Sequence, residues 1–228
     1  MIHNYTMPTS ARDFMYKVYG WMSVALAATA AIAYYIGSTP AMYTPILQNK
    51  ILFFGIMIAQ LAIVVFLQWK IKSLTYTEAV IAFLSYAALT GITLSTIFLV
   101  YTMASIYTAF LITAGLFAIM SAYGYLTNAD LSSMGSFLVM GLFGIILAMF
   151  VNMWFQSPLA NYYISLVAVG IFTLLTAYDV QKLKRLAESM MVDPETKQKM
   201  AIIGALTLYL DFINLFLNLL QVMGKKRD

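Results

Sequence analysis

The chain has 228 residues, of which 62% are hydrophobic and only 10% are charged, and its formal net charge is +4. A soluble domain usually carries about 25% charged residues, so this composition excludes an ordinary soluble domain and indicates a polytopic membrane protein. The chain has no cysteine and a single histidine, His3. We therefore expect no disulfide framework, no thiolate or His-rich metal site and no Ser-His-Asp catalytic triad.

Seven apolar runs are long enough to cross a bilayer, which requires about 20 helical residues. The expected spans are residues 18–36, 51–69, 78–100, 106–126, 134–154, 162–182 and 200–223, within one transmembrane domain over 1–228. All 5 prolines lie outside these spans. A ladder of small residues in the third span is suited to close packing between helices. Its members are Ala87, Gly91 and Ser95.

Several local signals predict how the segments between the spans behave. Pro45 is expected to keep the connection after the first span open. Thr75 and Glu78 have the spacing of a capping box, so we interpret Glu78 first as a helix-start residue. Asp130 or Ser132 is expected to cap the fifth span.

The distribution of basic residues predicts a cytoplasmic N-terminus. With seven spans, the inside segments hold nine of the 13 Lys and Arg residues, as the positive-inside rule requires. The tail Lys225-Lys226-Arg227 is the exception, because seven spans place it outside. Six spans with a re-entrant last segment would bring the tail inside. Residues 200–223 are long enough to cross, so seven spans is the prediction.

The last span carries a polar stripe with a carboxylate in its middle. At 3.6 residues per turn, six small or polar residues fall within one arc of about 100°. They are Gly204, Thr207, Asp211, Asn214, Asn218 and Gln221. An ionised Asp near the bilayer centre costs roughly 3 kcal/mol on insertion scales. Asp211 is therefore a candidate functional residue, although such a stripe can also serve only to hold helices together.

Asp179 is the second acid embedded in apolar sequence, near the end of the sixth span. It precedes a basic run, so it could serve only as an ion-pair partner there. However, Asp179 and Asp211 each lie 16 residues from residue 195, about 24 Å along a helix. Asp193-Pro194 reads as a helix start beside that midpoint. Two antiparallel helices turning there, the first of them continuing beyond Lys184, would place the two carboxylates at the same height.

These two segments resemble the signature segments of the transmembrane Bax inhibitor motif family. The first is Thr176-Ala177-Tyr178-Asp179-Val180-Gln181-Lys182-Leu183, and the second runs from Leu206 to Phe216 around Tyr209-Leu210-Asp211. Segments 91–95 and 127–132 are also similar, so the resemblance covers nearly the whole chain.

The resemblance implies a seven-helix bundle around the last helix and a pH-sensitive calcium leak channel rather than an enzyme. It implies that Asp179 and Asp211 form a carboxyl pair that senses protons and weakly contacts calcium. Thr176, Thr207, Asn214 and Asn218 are the polar residues expected to line or support the pore. Some members carry a basic latch at the end of the second helix, where this chain offers only Lys70 or Lys72.

The residue chemistry is compatible with this function. Two carboxylates in one low-dielectric site tend to share a proton and titrate as a pair. An isolated aspartic acid titrates near about pH 3.9, so a response near neutral pH requires the two acids to act together, and we expect His3 to play no part. Calcium prefers hard oxygen ligands, and conduction requires weak binding. No cofactor is expected, with calcium as the permeant ion.

Three other functions remain open at this stage. A proton-coupled calcium antiporter could use the same carboxyl pair. An intramembrane aspartyl protease also places two Asp residues on neighbouring spans, but the glycines of its Gly-x-Gly-Asp motif are absent before Asp211. The third is a non-conducting regulator of protein partners. The expected partners are the lipid bilayer, calcium and protons, with no nucleic acid, and we expect a monomer in a bacterial inner membrane.

Overall fold

The structure is a computed structural model that describes residues 9–189 and 193–227, and His3 lies outside these residues. The described chain forms nine helices. They are α1 (Thr9–Gly37), α2 (Pro40–Gln48), α3 (Lys50–Lys70), α4 (Tyr76–Leu94), α5 (Ile97–Val100), α6 (Met103–Leu126), α7 (Ser132–Phe155), α8 (Pro158–Ser189) and α9 (Pro194–Met223).

Seven stretches of helix are long and apolar enough to cross a membrane, so the predicted all-α polytopic membrane fold is confirmed. The last of them, Pro194–Met223, is one continuous helix rather than a re-entrant segment. It is also the most buried candidate span. In its most apolar 18-residue stretch, 67% of the residues are buried, and the share is 44% or less in every other candidate span. This burial supports the expectation that other helices surround the last one.

The prediction of an open connection at Pro45 is wrong, because residues 40–48 form the short helix α2 around it. Pro40 occupies the start of α2, where its missing N–H costs nothing. Pro45 still accepts a backbone hydrogen bond from Asn49 (3.2 Å). Because a proline lacks only its own N–H donor, about one turn of helix can form on either side of Pro45.

The third span is interrupted where the sequence analysis expected a single helix over 78–100. α4 ends at Leu94 and α5 begins at Ile97. The Ser95 hydroxyl donates to the Ile92 carbonyl (2.7 Å), and the Thr96 hydroxyl donates to the Thr93 carbonyl (2.9 Å). Hydroxyls that bond to nearby carbonyls compete with the backbone ladder of a helix, which accounts for the break.

Helix starts follow the predicted chemistry in some places and not in others. Thr75 and Glu78 form the predicted capping box, with the Thr75 amide donating to Glu78 Oε2 (2.8 Å). Neither Asp130 nor Ser132 caps α7, whose N-cap is Leu131. Asp130 Oδ1 instead accepts from the Ser132 amide (3.0 Å), an Asx-type turn that ends just as the helix begins.

The α8–α9 hairpin has the predicted form where it is described. α8 begins earlier than expected, at Pro158, and continues past Lys184 to Ser189. α9 begins at Pro194, and Asp193 Oδ1 accepts a hydrogen bond from the Thr196 amide (2.9 Å). The side chain thus satisfies one of the free amides of the first turn.

The chain divides into two compact units. The first contains the residues up to Leu99 together with Leu183–Tyr209. In it, α1 packs closely on the small-residue ladder of α4. A Cβ atom built on Gly91 would lie 2.9 Å from the Thr29 carbonyl oxygen and 2.9 Å from Ile32 Cβ, and the Thr29 hydroxyl donates to the Ala87 carbonyl (2.9 Å).

The second unit contains Val100–Lys182 together with the residues from Leu210 onwards. Its apolar core is formed by α7, α8 and α9, through Leu138, Ile145, Ala168, Phe172, Leu175, Leu215 and Leu219. α6 packs against α9 through rings, with the centroids of Phe117 and Phe212 5.4 Å apart. α6 also contacts α8, because a Cβ on Gly124 would collide with the Ala177 carbonyl.

We predict that Gly124→Ala destabilises the second unit. The added methyl meets backbone atoms of Ala177, which cannot yield as a flexible side chain would, and overpacking of this kind typically costs about 1–3 kcal/mol. Gly115→Ala on the same helix is the matched control, since nothing lies within 4 Å of its Cβ position. Thermal unfolding of the purified protein in detergent measures both. Equal melting temperatures for the two variants would contradict the close approach.

We also predict that Asp193 stabilises the start of α9 in a pH-dependent way. Hydrogen bonds to the Thr196 amide hold the pKa of this carboxyl below its usual range. A lowered folded-state pKa means that the stabilisation is complete above the unfolded-state pKa and is lost as pH falls through the folded-state pKa. Asp193→Ala should therefore lower the melting temperature at pH 7 and have a smaller effect at pH 3. A penalty that is the same at both pH values would rule out a charged cap.

Candidate functional site

The apolar seam between α8 and α9 positions the two acids. Leu175 of α8 and Leu215 of α9 are both core residues of the second unit. Asp179 follows Leu175 by four residues, and Asp211 precedes Leu215 by four. Because residues four apart lie on the same face of a helix, both acids continue the seam that the leucines form.

The structure brings the two carboxyl groups close enough to share a hydrogen bond when one of them is protonated. Asp211 is only 5% exposed, and its Oδ2 atom is buried with no hydrogen-bond partner among the described residues. Asp179 is half-buried. A carboxylate can only accept hydrogen bonds, so this bond requires a proton on one of the two groups. A bonded pair that holds one proton carries a single negative charge.

Lys182, in the same unit, is a basic residue close to the carboxyl pair along α8. It lies three residues after Asp179 on α8, and its charge acts on the Asp179 carboxyl. Its Nζ atom lies 5.8 Å from the centroid of the Tyr178 ring. The ion-pair role considered for Asp179 is therefore still a prediction. The sequence analysis did not include Lys182 in the site, although its i,i+3 spacing was the available signal.

Gln181 is a second residue that the sequence analysis did not single out. Its side chain is 4% exposed. The amide donates to the Ala129 carbonyl (2.8 Å) and accepts from the Leu131 amide (2.9 Å). These two bonds tie the connection between α6 and α7 to α8, two residues from Asp179. The only sequence signal was an amide side chain inside an apolar helix segment.

The predicted pore-lining residues donate hydrogen bonds along their own helices. The hydroxyls of Thr176 and Thr207 donate to the carbonyls of Phe172 (2.8 Å) and Ile203 (3.1 Å). The amides of Asn214 and Asn218 donate to the carbonyls of Leu210 (2.8 Å) and Asn214 (2.8 Å).

Burial separates these polar residues into two kinds. Thr176 is fully buried. Asn214 and Asn218 are half-buried on the least covered side of α9. Thr207, which belongs to the first unit, is also half-buried. The amides of the two asparagines donate along their own helix. The lining role of these residues is still a prediction.

Lys70 and Lys72 lie in the first unit, at the end of α3 and in the turn that follows it. Both side chains are exposed. The basic latch is therefore still a prediction.

The donor set around the acids suits weak cation binding. Among residues 9–189 and 193–227, no group of three or more His, Cys, Asp or Glu side chains is placed to hold a metal ion. A cation at the pair would meet two carboxyl groups, where calcium in a tight protein site takes 6–8 oxygen ligands. Water would have to complete its shell, so binding would be weak.

Comparison with known proteins identifies the family. The family described as inhibitor of apoptosis-promoting Bax1 matches residues 11–228. An inner membrane protein of Escherichia coli, YbhL, is 46% identical over 217 residues, which cover 95% of this chain and 93% of the relative. Uncharacterized proteins of Borreliella burgdorferi and Rickettsia prowazekii are 45% and 40% identical, over 94% and 99% of this chain and 93% and 94% of the relatives.

The seven candidate spans and the inner-membrane relative confirm the predicted location, an integral protein of a bacterial inner membrane. The resemblance of the Asp179 and Asp211 segments to a known family is likewise confirmed, since the match includes both. The chain belongs to the Bax inhibitor-1 family.

Proposed function

We propose that this protein is a pH-sensitive, calcium-permeable leak channel in which Asp179 and Asp211 sense protons. The observation that carries this proposal is the hydrogen bond between the two carboxyl groups across the α8–α9 seam. A second feature supports it, namely the buried Asp211 Oδ2 atom that has no partner in the described chain.

The shared proton links pH to the packing of two helices. While one carboxyl is protonated, the bond ties α8 to α9 one helical turn from the core residues Leu175 and Leu215. When the proton leaves, two like charges face each other in a poorly solvated site, and their repulsion replaces the bond. This change favours a looser arrangement of the seam over the bonded one, which shifts an equilibrium between closed and open forms.

Calcium would compete with the proton for the same oxygen atoms. The unpartnered Asp211 Oδ2 is a hard ligand of the kind that calcium prefers, and full ionisation of the pair adds a second carboxylate. By linkage, calcium favours the ionised pair and so promotes loss of the proton. Only two carboxyl groups are available, so a bound ion leaves readily, as conduction requires.

The proposed conduction does not need an enzyme activity or a resident cofactor. The half-buried Asn214 and Asn218 supply neutral oxygen atoms on the same face of α9 as Asp211. Such groups can replace part of the water shell of an ion without holding it tightly. The carboxyl pair would then act as the gate and the asparagines as lining.

We expect calcium flux to rise with pH between about 6 and 8 in wild-type proteoliposomes, because deprotonation breaks the carboxyl–carboxyl bond. A single shared proton changes the ratio of bonded to ionised pairs by up to about tenfold per pH unit. Asp179→Asn and Asp211→Asn should each abolish this rise, since neither variant retains two titrating groups. Calcium-sensitive dye inside the vesicles measures the flux, with a pH clamp on both sides.

Glu188→Gln is the matched control, because it removes one carboxylate from the exposed side of the same helix, α8. Asn218→Leu should alter the flux less than Asp211→Asn, since it removes a polar group but no titrating charge. A pH response that survives in both Asp variants would eliminate the pair as the sensor. Calcium movement that requires an opposing proton gradient would identify an antiporter instead.

A further inference from the structure

The polar face of α9 leads from the carboxyl pair to the C-terminal end of the helix. Asn214, Asn218 and Gln221 follow Asp211 at intervals of three, four and three residues, so all four lie on one side of the helix. Gln221 lies ten residues beyond Asp211, about 15 Å along the axis. The asparagines are half-buried and Gln221 is exposed, so this face opens progressively towards the helix end.

Gln221 lines a cleft in the second unit that has a volume of about 560 Å³. The cleft is bounded by the end of α7, the start of α8, the end of α9, the chain just before α6 and the chain after α9. Its lining residues are Tyr101, Met149, Asn152, Met153, Gln156, Pro158, Asn161, Tyr162, Gln221 and Lys226. None of these lining residues is acidic, four carry side-chain amides and one is a cation.

Hydrogen bonds fix one wall of the cleft. The buried Asn152 amide donates to Asn161 Oδ1 (2.9 Å) and to the Ser157 carbonyl (3.2 Å). Asn152 Oδ1 accepts from the Ser157 amide (3.1 Å). Gln156 has a left-handed conformation, with φ of 48°, where the chain turns from α7 into α8. The wall is thus a built turn and not a loose connection.

The C-terminal segment fixes the opposite side. The Thr102 amide donates to the Lys225 carbonyl (3.1 Å), and the Arg227 amide donates to the Val100 carbonyl (2.9 Å). Tyr101 and Lys226 pair in an antiparallel bridge, and the Lys225 amide donates to Ser105 Oγ (2.8 Å). Lys226 is therefore held at the cleft by the backbone on both sides of it, although its side chain is exposed.

We propose that this cleft is the C-terminal vestibule of the ion path and that Lys226 limits the access of cations to it. The inference rests on the proposed function, since it assigns the vestibule to the path that begins at Asp211. A fixed positive charge at an opening lined by neutral amides repels a divalent cation and lowers its local concentration. Lys226 would thereby keep the leak small whatever the state of the carboxyl pair.

The charge of Lys226 has a second expected effect, stabilisation of the end of α9, which must be distinguished from its effect on cation access. Basic residues just after a helix complement the negative end of its dipole, and Lys225 and Lys226 both follow α9. Only Lys226 lines the cleft. Lys226→Gln and Lys225→Gln therefore each remove one positive charge and introduce the same side chain. Only Lys226→Gln removes the charge at the cleft.

The first test is calcium flux in proteoliposomes at low ionic strength. Lys226→Gln should raise the flux by about fivefold, the effect of a unit charge on a divalent ion about 8 Å away in water, and Lys226→Glu should raise it further. Lys225→Gln should match wild type. The difference should disappear near 1 M salt, where the Debye length is about 3 Å. An equal effect of the two Gln variants, or no effect of Lys226→Gln, would overturn the proposal.

Results with Asp211→Asn distinguish this inference from the proposed function. If Asp211→Asn removes the pH response and Lys226→Gln has no effect, the carboxyl pair is the proton sensor and Lys226 does not control cation access. If Lys226→Gln raises the flux and Asp211→Asn leaves the pH response intact, Lys226 controls cation access and the carboxyl pair is not the sensor.

The second test does not depend on flux. The chain contains no cysteine, so Asn218→Cys creates a single thiol on the polar face. Charged methanethiosulfonate reagents added to the water should label it, the anionic reagent faster than the cationic one, and Lys226→Glu should reverse this order. Phe150→Cys, at a residue 59% exposed on apolar α7, should stay unlabelled because lipid suppresses the reactive thiolate.

Gln221→Cys provides the same measurement at the cleft itself if Asn218→Cys reduces the yield of folded protein. The reversal of reagent preference is the result expected for a charged vestibule. Unlabelled cysteines at both positions, or a preference that Lys226→Glu does not change, would show that the polar face is not a water-accessible path past Lys226.

Discussion

A hydrogen bond between two carboxyl groups can exist only while they hold a proton, and Asp179 and Asp211 meet under this constraint in the seam between α8 and α9. The two acids lie in line with the core leucines Leu175 and Leu215. An apolar seam alone would hold the helices together at any pH. In the proposed channel the two acids make the same contact conditional on a proton, while the positive charge of Lys182 acts on Asp179.

The surrounding packing keeps the two acids in register. Gly124 allows α6 to approach the backbone of α8 at Ala177, and Gln181 ties the α6–α7 connection to α8 on the other side of Asp179. Phe212, next to Asp211, packs against Phe117 of α6. Since none of these contacts involves a titrating side chain, the proposed pH response in this region rests on the carboxyl pair.

The half-open face of α9 gives the carboxyl pair a connection to the C-terminal end of the helix. Asn214 and Asn218 satisfy their donors on their own backbone, so their oxygen atoms are available to an ion or water. The basic tail, which is an exception to the positive-inside rule, is fixed to the segment around Tyr101. In the proposed vestibule, its position beside an amide-lined cleft would make charge, and not pore width alone, a determinant of access.

The sequence by itself determined the seven spans, because apolar runs of bilayer length have few alternatives, and the capping box at Thr75, because its two bonds are local. It also set the common height of Asp179 and Asp211, since equal distances from a turn fix height along antiparallel helices. Which faces of those helices meet was decided by core packing. Long-range contacts likewise decided the bonds of Gln181 and the docking of the tail at Lys226, because partners that are distant in the chain leave no periodic signal in the sequence.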